Sequence, residues 1–550
     1  MIPFSYAITL FLSITLLRIL VGFQPHSGQD NHHGSLVAYG GDFEAQRHWM
    51  ELTYSLPIKD WYWYDLHYWG LDYPPLTAYV SWLCGYASYV LVGPHSVALD
   101  TSRGIEDPTH KAFMRGTVIV TDLLFYVTAC WYWSKALLTP HDHKSKNANK
   151  QRLGTSDIVR MVSFLIATLQ PAIVLIDHGH FQYNTTALGL ALWSFYFMTN
   201  QSGGWANTSI IGSIFFCCAL SFKQMTLYYA PVVFAYLLGR CLAPTNTLTT
   251  NNHSRSTFLV RFVSLAVTVL ITFAVLWGPV ILHGPDDTTY LDRLLHVLHR
   301  ILPFQRGLFE GKVSNVWCAL SVHPIKIRQR IPQSMQPLCA LGLTLLLILP
   351  ACIKLFQVGR EAPSPNTQRR HQTLLLWGAM SSALAFFLAS FQVHEKSILM
   401  ALAPAVLLVS YDFRLVVWFS LVSAWTLWPL LVVDRLQVAY VCVQLIFSLL
   451  LVVFQDHFPE AAKRMRPESN QGFFGCHFLL AIIPVLSYLA MLGLHVGEIF
   501  VSVPSHLPDL FPVLWSIAGC GFFALAWLAS CWHLYSPREP VGLSTKQKTS

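Results

Sequence analysis

The sequence predicts an all-α polytopic membrane protein, and three observations carry that prediction. Of its 550 residues, 54% are hydrophobic and only 12% are charged, about half the roughly 25% charged share of a soluble domain. The apolar residues gather into repeated runs of roughly 20, the length that crosses a hydrocarbon core as a helix. The basic residues fall in short loops between those runs, the pattern that marks cytosolic loops. No polar block is long enough for a soluble domain, so residues 1–550 read as one membrane domain. The net charge of +8 belongs to those loops, which gives no reason to expect nucleic acid. Membrane lipid is the expected surround.

Taken in order, the first run is 3–23. It lacks a basic leading segment and a small-x-small site after it, so it reads as a retained span and not a cleaved signal. A long first loop follows, 24–111, holding "GGDFEAQRHWME" (40–51), "WYWYDLHYW" (61–69) and "YWGLDYPPLTAY" (68–79). Inside it, the apolar run 76–92 reads either as a span or as a helix lying in the interface. Further spans are expected at 112–138, 158–176, 185–199, 209–222, 226–242, 258–282, 338–356, 373–391, 397–411, 415–433, 438–454, 473–494 and 510–533. That makes about 14, some short enough to need irregular ends. The basic loops "HDHKSKNANKQR" (141–152), "REAPSPNTQRRH" (360–371) and "KRMRPE" (463–468) are then cytosolic. With 76–92 not crossing, alternation puts both ends of the chain in the cytosol as well. The last residues, "KQKTS", place Lys546 and Lys548 as in dilysine retrieval signals of the endoplasmic reticulum, which need a cytosolic tail, and read equally as a solvated basic tail. The 12 cysteines are scattered with no C-x-x-C spacing, as small buried apolar residues would be.

The compact polar clusters sort to the other, lumenal face. Besides the first loop, they are "DHGHFQYN" (177–184), "FKQM" (222–225), "PFQRGLFEGKVSNVW" (303–317) and "FQVHEK" (391–396). Ionisable groups at membrane depth are expensive and usually functional, so their convergence predicts one lumenal site at the bilayer boundary. Asp42 has two readings, a helix N-cap or a general base aimed into a cavity. Pro74 and Pro75 predict a helix start for the run behind them, with Asp72 just before. The aromatic series suits the membrane interface and equally suits stacking on sugars. His178, His180 and Gln182 read as side chains that hydrogen-bond hydroxyls. Two histidines without a further ligand set predict no metal. "HEK" is not H-E-x-x-H, and His394 and Lys396 read as holding a lipid phosphate, or Lys396 as snorkelling to the interface. Arg306, Glu310 and Lys312 add charge to that face. No phosphate-binding glycine loop occurs, so a nucleotide would have to be bound some other way or not be used. A transporter would show internal repeats and charged midplane helices. No repeat is evident here, and Arg18 is the clearest mid-span charge.

Together "YGGDFEAQRHWME", "YWGLDYPPLTAY", "LIDHGHFQYN", "SFKQM", "PFQRGLFEGKVSNVWC" and "SFQVHEKSIL", spanning 39–399, resemble the eukaryotic lipid-linked-oligosaccharide glucosyltransferases. The match is to the branch that adds the first glucose. The sister branch, which adds the second, usually lacks the "EAQRHW" and "WGLDYPPLTAY" forms. One departure is Gly311, where the first-glucose branch usually has Asp. The resemblance implies a GT-C-like fold, a dolichyl-phosphate glucose donor and a dolichyl-diphosphate-linked oligosaccharide acceptor. It implies inverting transfer to an α-1,3 bond in the endoplasmic reticulum lumen, with no cofactor. Asp42 matches the family's base, and His394 a residue near the donor. The chemistry then calls for cations at the departing phosphate, for which Lys396, His394 and Arg306 are the candidates. Glu44 and Asp72 are candidates for orienting acceptor hydroxyls.

Overall fold

The computed structural model describes residues 4–29, 40–138, 155–200, 204–244, 252–302, 313–322, 324–362, 365–455 and 474–536. Arg306, Glu310, Gly311, Lys312, the loops 141–152 and 463–468, and Lys546 and Lys548 lie outside the described residues. Among the described residues every regular element is a helix.

Among the described residues nine helices are long and apolar enough to cross a membrane, and they overlap nine of the predicted spans. The other five predicted spans are shorter or bent. One is the pair Asp157–Thr168 and Pro171–Phe181, which bend by 43° at their junction. Pro171 cannot continue the preceding helix, and the buried Gln170 side chain restarts it by accepting from the Ile173 N–H at 2.8 Å. The remaining four are Asn184–Thr199, Thr208–Phe222, Ile398–Val406, and the broken run Phe413–Thr426 with Trp428–Val433. The described cysteines are all free.

The helix at Thr367–Ala389 is almost wholly buried and forms the centre. Those at Ser256–Leu282 and Ile482–Phe500 are peripheral and show rows of exposed leucine, valine and isoleucine. An apolar exterior on long helices is what lipid contact requires. The chain is a multi-pass membrane protein.

Four helices frame the region of interest: α1 (Phe4–Gly22), α2 (Asp42–Ser55), α3 (Pro75–Leu91) and α4 (Pro108–Asp122). Pro75 is the first residue of α3, as the double proline predicts. At 17 residues, α3 is not among the helices long enough to cross. It lies tightly on α2, where Gly85 permits the approach: a Cβ there would sit 2.5 Å from the Met50 carbonyl oxygen. The helix Tyr290–Ile301 clamps the first loop from outside. Its Arg300 donates to the Gly70 carbonyl at 2.7 Å, and His296 meets the Tyr62 carbonyl at 2.9 Å. Trp61 and Tyr62 are buried, so part of the aromatic series packs the loop itself.

Candidate active site

Four breaks between helices bring the charged groups together, and each break has a local cause. Ahead of α2 the chain crosses itself at Gly28 and Gly41. A Cβ on Gly41 would stand 2.3 Å from the Ser27 carbonyl oxygen, and Gly41 has φ +97°. Only glycine tolerates that combination. The crossing makes Gly41 the N-cap and Asp42 the first helical residue. Asp42 therefore does not cap the helix with its side chain, although its carboxylate still sits at the favourable positive end.

The second break is a π-helical turn, Leu175–Phe181, ending in Phe181 at φ +87°. A phenylalanine in that region costs about 1–3 kcal/mol, and such residues persist where surrounding structure over-determines them, often at functional sites. Here Arg115 of α4 supplies the restraint. It donates to the carbonyls of His178 at 2.6 Å and Gly179 at 2.8 Å. The Ser27 N–H donates to the His180 carbonyl at 3.1 Å, and the Asp42 N–H to the Ser27 hydroxyl at 3.3 Å. The third break is the 3-10 turn Glu395–Ser397, preceded by Gln392 at φ +60°. The fourth is the turn after Trp428–Val433, holding Asp434 and Arg435, the latter also at φ +60°.

Three donors converge on one oxygen, Asp42 Oδ2. His180 Nε2 lies 2.8 Å from it, and Gln182 Nε2 and Lys396 Nζ also contact it. Lys396 Nζ is 3.1 Å from His180 Nε2. Among the described residues, no hydrogen bond is made to Asp42 Oδ1, and the side chain is 25% exposed. One oxygen is committed to three donors, and the other accepts no hydrogen bond among the described residues. Burial on its own would raise the Asp42 carboxyl. The Lys396 ammonium and then His180 outweigh it and hold the group well below the usual carboxylate range. Burial likewise works to lower Lys396, and the Asp42 carboxylate carries it above its ordinary value.

The orientation of Gln182 is set from behind. Lys223 Nζ donates to Gln182 Oε1 at 2.9 Å and to Asn184 Oδ1 at 2.5 Å. An ammonium has no acceptor, so the Gln182 amide must turn its nitrogen to Asp42. Asn184 in turn donates to Asp177 at 2.7 Å, which also accepts from the Thr185 N–H at 2.6 Å. Tyr73 stands beside this group, its hydroxyl 3.5 Å from Gln182 Oε1 and its ring 5.0 Å from Lys223 Nζ.

The expected residues fall into three groups. Asp42, His180, Gln182 and Lys396 meet directly. His178 faces another way: its Nε2 is 2.8 Å from Asp122, which also pairs with Arg18 inside the bundle. Glu44 holds Arg47 through both carboxylate oxygens, at 2.8 and 2.6 Å, and accepts from Tyr68 at 2.7 Å. Asp72 is half-buried next to Tyr73, and His394 is exposed two residues before Lys396. The sequence offered no motif for Asp434, whose carboxylate contacts His180 Nδ1, nor for Asp122. The available signal was a lone aspartate between apolar runs for Asp434 and a lone aspartate inside the predicted 112–138 span for Asp122.

Comparison with known proteins adds the following. The profile of the ALG6, ALG8 glycosyltransferase family matches residues 14–529. A Gallus gallus protein named dolichyl pyrophosphate Man9GlcNAc2 alpha-1,3-glucosyltransferase is 39% identical over 94% of this chain and 94% of its own length. Proteins of the same name from Mus musculus and Saccharomyces cerevisiae are 38% and 36% identical. They cover 87% and 96% of this chain, and 88% and 91% of their own lengths. A crystal structure of the Archaeoglobus fulgidus oligosaccharyltransferase aligns with 99% of this chain and 60% of that one, at 11% identity and a TM-score of 0.36.

Proposed function

The chain belongs to the ALG6, ALG8 glycosyltransferase family, and from that premise we propose that it transfers the first glucose from dolichyl-phosphate glucose to dolichyl-diphosphate-linked Man9GlcNAc2. The reaction takes place at the lumenal face of the endoplasmic reticulum membrane and forms an α-1,3 bond. The observation that carries the mechanism is the asymmetry of Asp42: three donors fix Oδ2, while Oδ1 accepts no hydrogen bond among the described residues.

Asp42 Oδ1 takes the proton of the mannose hydroxyl as that oxygen attacks C1 of the glucose. Attack comes from the face opposite the phosphate. The C1–O bond to phosphate breaks, its electron pair leaves on dolichyl phosphate, and the β-linked donor becomes an α-linked product. A phosphate leaving group is weakly basic and needs cations more than a general acid. Lys396 supplies one beside the base, with His394 in the same turn. Arg306 completes the set from the residue type alone.

His180 and Gln182 hold the base in register. Glu44 and His178, already saturated by Arg47 and Asp122, act through the fold. Asp72, beside Tyr73, is assigned to the acceptor side. The test is acceptor choice. The purified chain in lipid nanodiscs is offered dolichyl-phosphate glucose with either the Man9 or the Glc1Man9 lipid acceptor. Glucosylation of Man9 alone is expected, and transfer only to Glc1Man9 would move the protein to the second-glucose reaction.

A further inference from the structure

His180 is held between two carboxylates, and the mechanism above uses only one of them. Its Nε2 meets Asp42 Oδ2 at 2.8 Å, and its Nδ1 meets Asp434 Oδ2. A carboxylate can only accept, and a neutral imidazole has only one N–H to give. Both carboxylate contacts are satisfied when both ring nitrogens carry protons; the Lys396 ammonium, 3.1 Å from Nε2, then donates to the shared Asp42 oxygen and not to the ring. The charge balance agrees. Two carboxylates, one ammonium and one imidazolium sum to zero, whereas a neutral ring leaves a net negative charge among buried groups, which is expensive.

The backbone is built to place Asp434. The turn holding it closes through Leu436 N–H to the Leu431 carbonyl at 2.8 Å, with Arg435 in the left-handed region. Leu436 packs onto Gly179, where a Cβ would stand only 3.2 Å from the leucine Cδ1. The turn is thus registered against the segment that carries His180. Arg435 also donates to the Gln29 carbonyl at 2.9 Å, close to the glycine crossing that places Asp42. Asp434 is buried and stands on the far side of the imidazole from Asp42.

We infer that Asp434 is a positioning residue for glucosyl transfer: through His180 it keeps a proton on Nε2, commits Asp42 Oδ2 to that proton, and leaves Oδ1 as the atom that receives the acceptor's proton. The logic is that of a carboxylate orienting a histidine from behind, with a second carboxylate in place of the nucleophile. The inference rests on Asp42 being the base. The other charged groups facing this cluster are Lys396 with Glu395 beside it, Arg115 on α4 and the Lys223–Asp177 pair, with Asp72 beyond Tyr73.

The sign of the pH effect follows from the geometry. Losing the Asp434 charge removes what offsets the second ring proton (an asparagine amide oxygen accepts that N–H but leaves the imidazolium uncompensated), and with it goes one positive charge in contact with Asp42. The lost Asp434 charge acts in the opposite sense, but only across the width of the ring. The Asp42 carboxylate then takes up a proton at higher pH, and activity fails sooner on acidification.

The experiment is the pH profile of kcat/KM for the full chain in nanodiscs, with dolichyl-phosphate glucose and the Man9 lipid acceptor. In Asp434→Asn the acidic limb is expected to move up by about one pH unit, the scale of one neighbouring charge. In Asp434→Glu it is expected to stay with the wild type. His180→Gln is expected to move the limb similarly, and His180→Gln with Asp434→Asn no further, since Asp434 acts through the ring. If Asp434→Asn does not accumulate, His180→Gln with and without Asp434→Glu carries the same comparison. A limb that stays in place while kcat falls equally at all pH values overturns the inference, as does an additive double variant. Asp42→Asn separates the two layers. Normal turnover in Asp42→Asn overturns the base assignment itself, whereas an inactive Asp42→Asn with an unshifted Asp434→Asn overturns only the role of Asp434.

Discussion

Two groups of charge share helix α2 and are built on opposite plans. At its first residue, Asp42 is a quarter exposed and takes its partners from 138, 140 and 354 residues away. One turn later, Arg47 sits fully buried between Glu44 and Glu51, three and four residues from it on the same helix, with His48 against Glu51 at 3.1 Å. Ser102 and the Asp100 N–H, both from the far end of the first loop, close the second group at 2.7 and 2.6 Å. The first arrangement leaves Asp42 Oδ1 without a hydrogen bond among the described residues, the atom we propose takes the acceptor's proton. The second pins the two ends of a long loop so that the first can be held still. A charged motif is therefore no guide by itself to which of its members react.

The largest expected effect is at the open end. Asp42→Asn should lower the rate of glucose transfer by about 10²- to 10⁴-fold, with protein level and thermal stability near wild type. A comparable loss of stability would instead place Asp42 with the locking group. At the closed end the pattern reverses. Arg47→Met leaves two buried carboxylates without their cation and should cost about 3–5 kcal/mol of stability, read as a fall in unfolding temperature, while the molecules that remain folded keep their KM. An Arg47→Met protein of normal stability but no turnover would erase the distinction.

Lys396→Gln should reduce turnover by about 10²-fold, the lower end for loss of one charge-stabilising donor. It should also move the acidic limb of the profile upward, because the ammonium is a principal cause of the low Asp42 value. An unshifted limb would detach Lys396 from the base. The smallest effect concerns Glu51. Burial works to raise its carboxyl, but His48 and Arg47 bring it from 4.5 down to about 2. A depressed folded value means that this stabilisation is complete above about 4.5 and is lost as pH falls toward about 2. Thermal melts across that window should decline, and Glu51→Gln should flatten the part of the decline that Glu51 causes. Equal slopes in both proteins would remove Glu51 from the lock.

Much of the architecture was legible in advance, for physical reasons. The nine long spans among the described residues announce themselves because crossing a bilayer demands length and apolarity within one contiguous stretch. The five shorter or bent ones are harder to read, because neighbouring helices and capping side chains such as Gln170 stabilise them. The 76–92 run was open between two readings, and its 17-residue helix packs on α2 through Gly85, a contact no local pattern encodes. In the site, "GGDFEAQRHWME", "DHGHFQYN" and "HEK" were visible as clusters. Which of their side chains meet at Asp42, and which close on Arg47, was not.

What the sequence alone determined is the class of the molecule, its succession of helices and the short motifs that identify its family. These depend on local properties: apolar length, proline and glycine at breaks, and residue types at fixed spacing. What only the tertiary structure decided is which oxygen of Asp42 is free, which way Gln182 turns, and that Asp434, 254 residues from His180, completes the group. A charge buried near a membrane is defined by the partners that offset it. Those partners come from separate helix breaks, which only the folded chain brings to the same place.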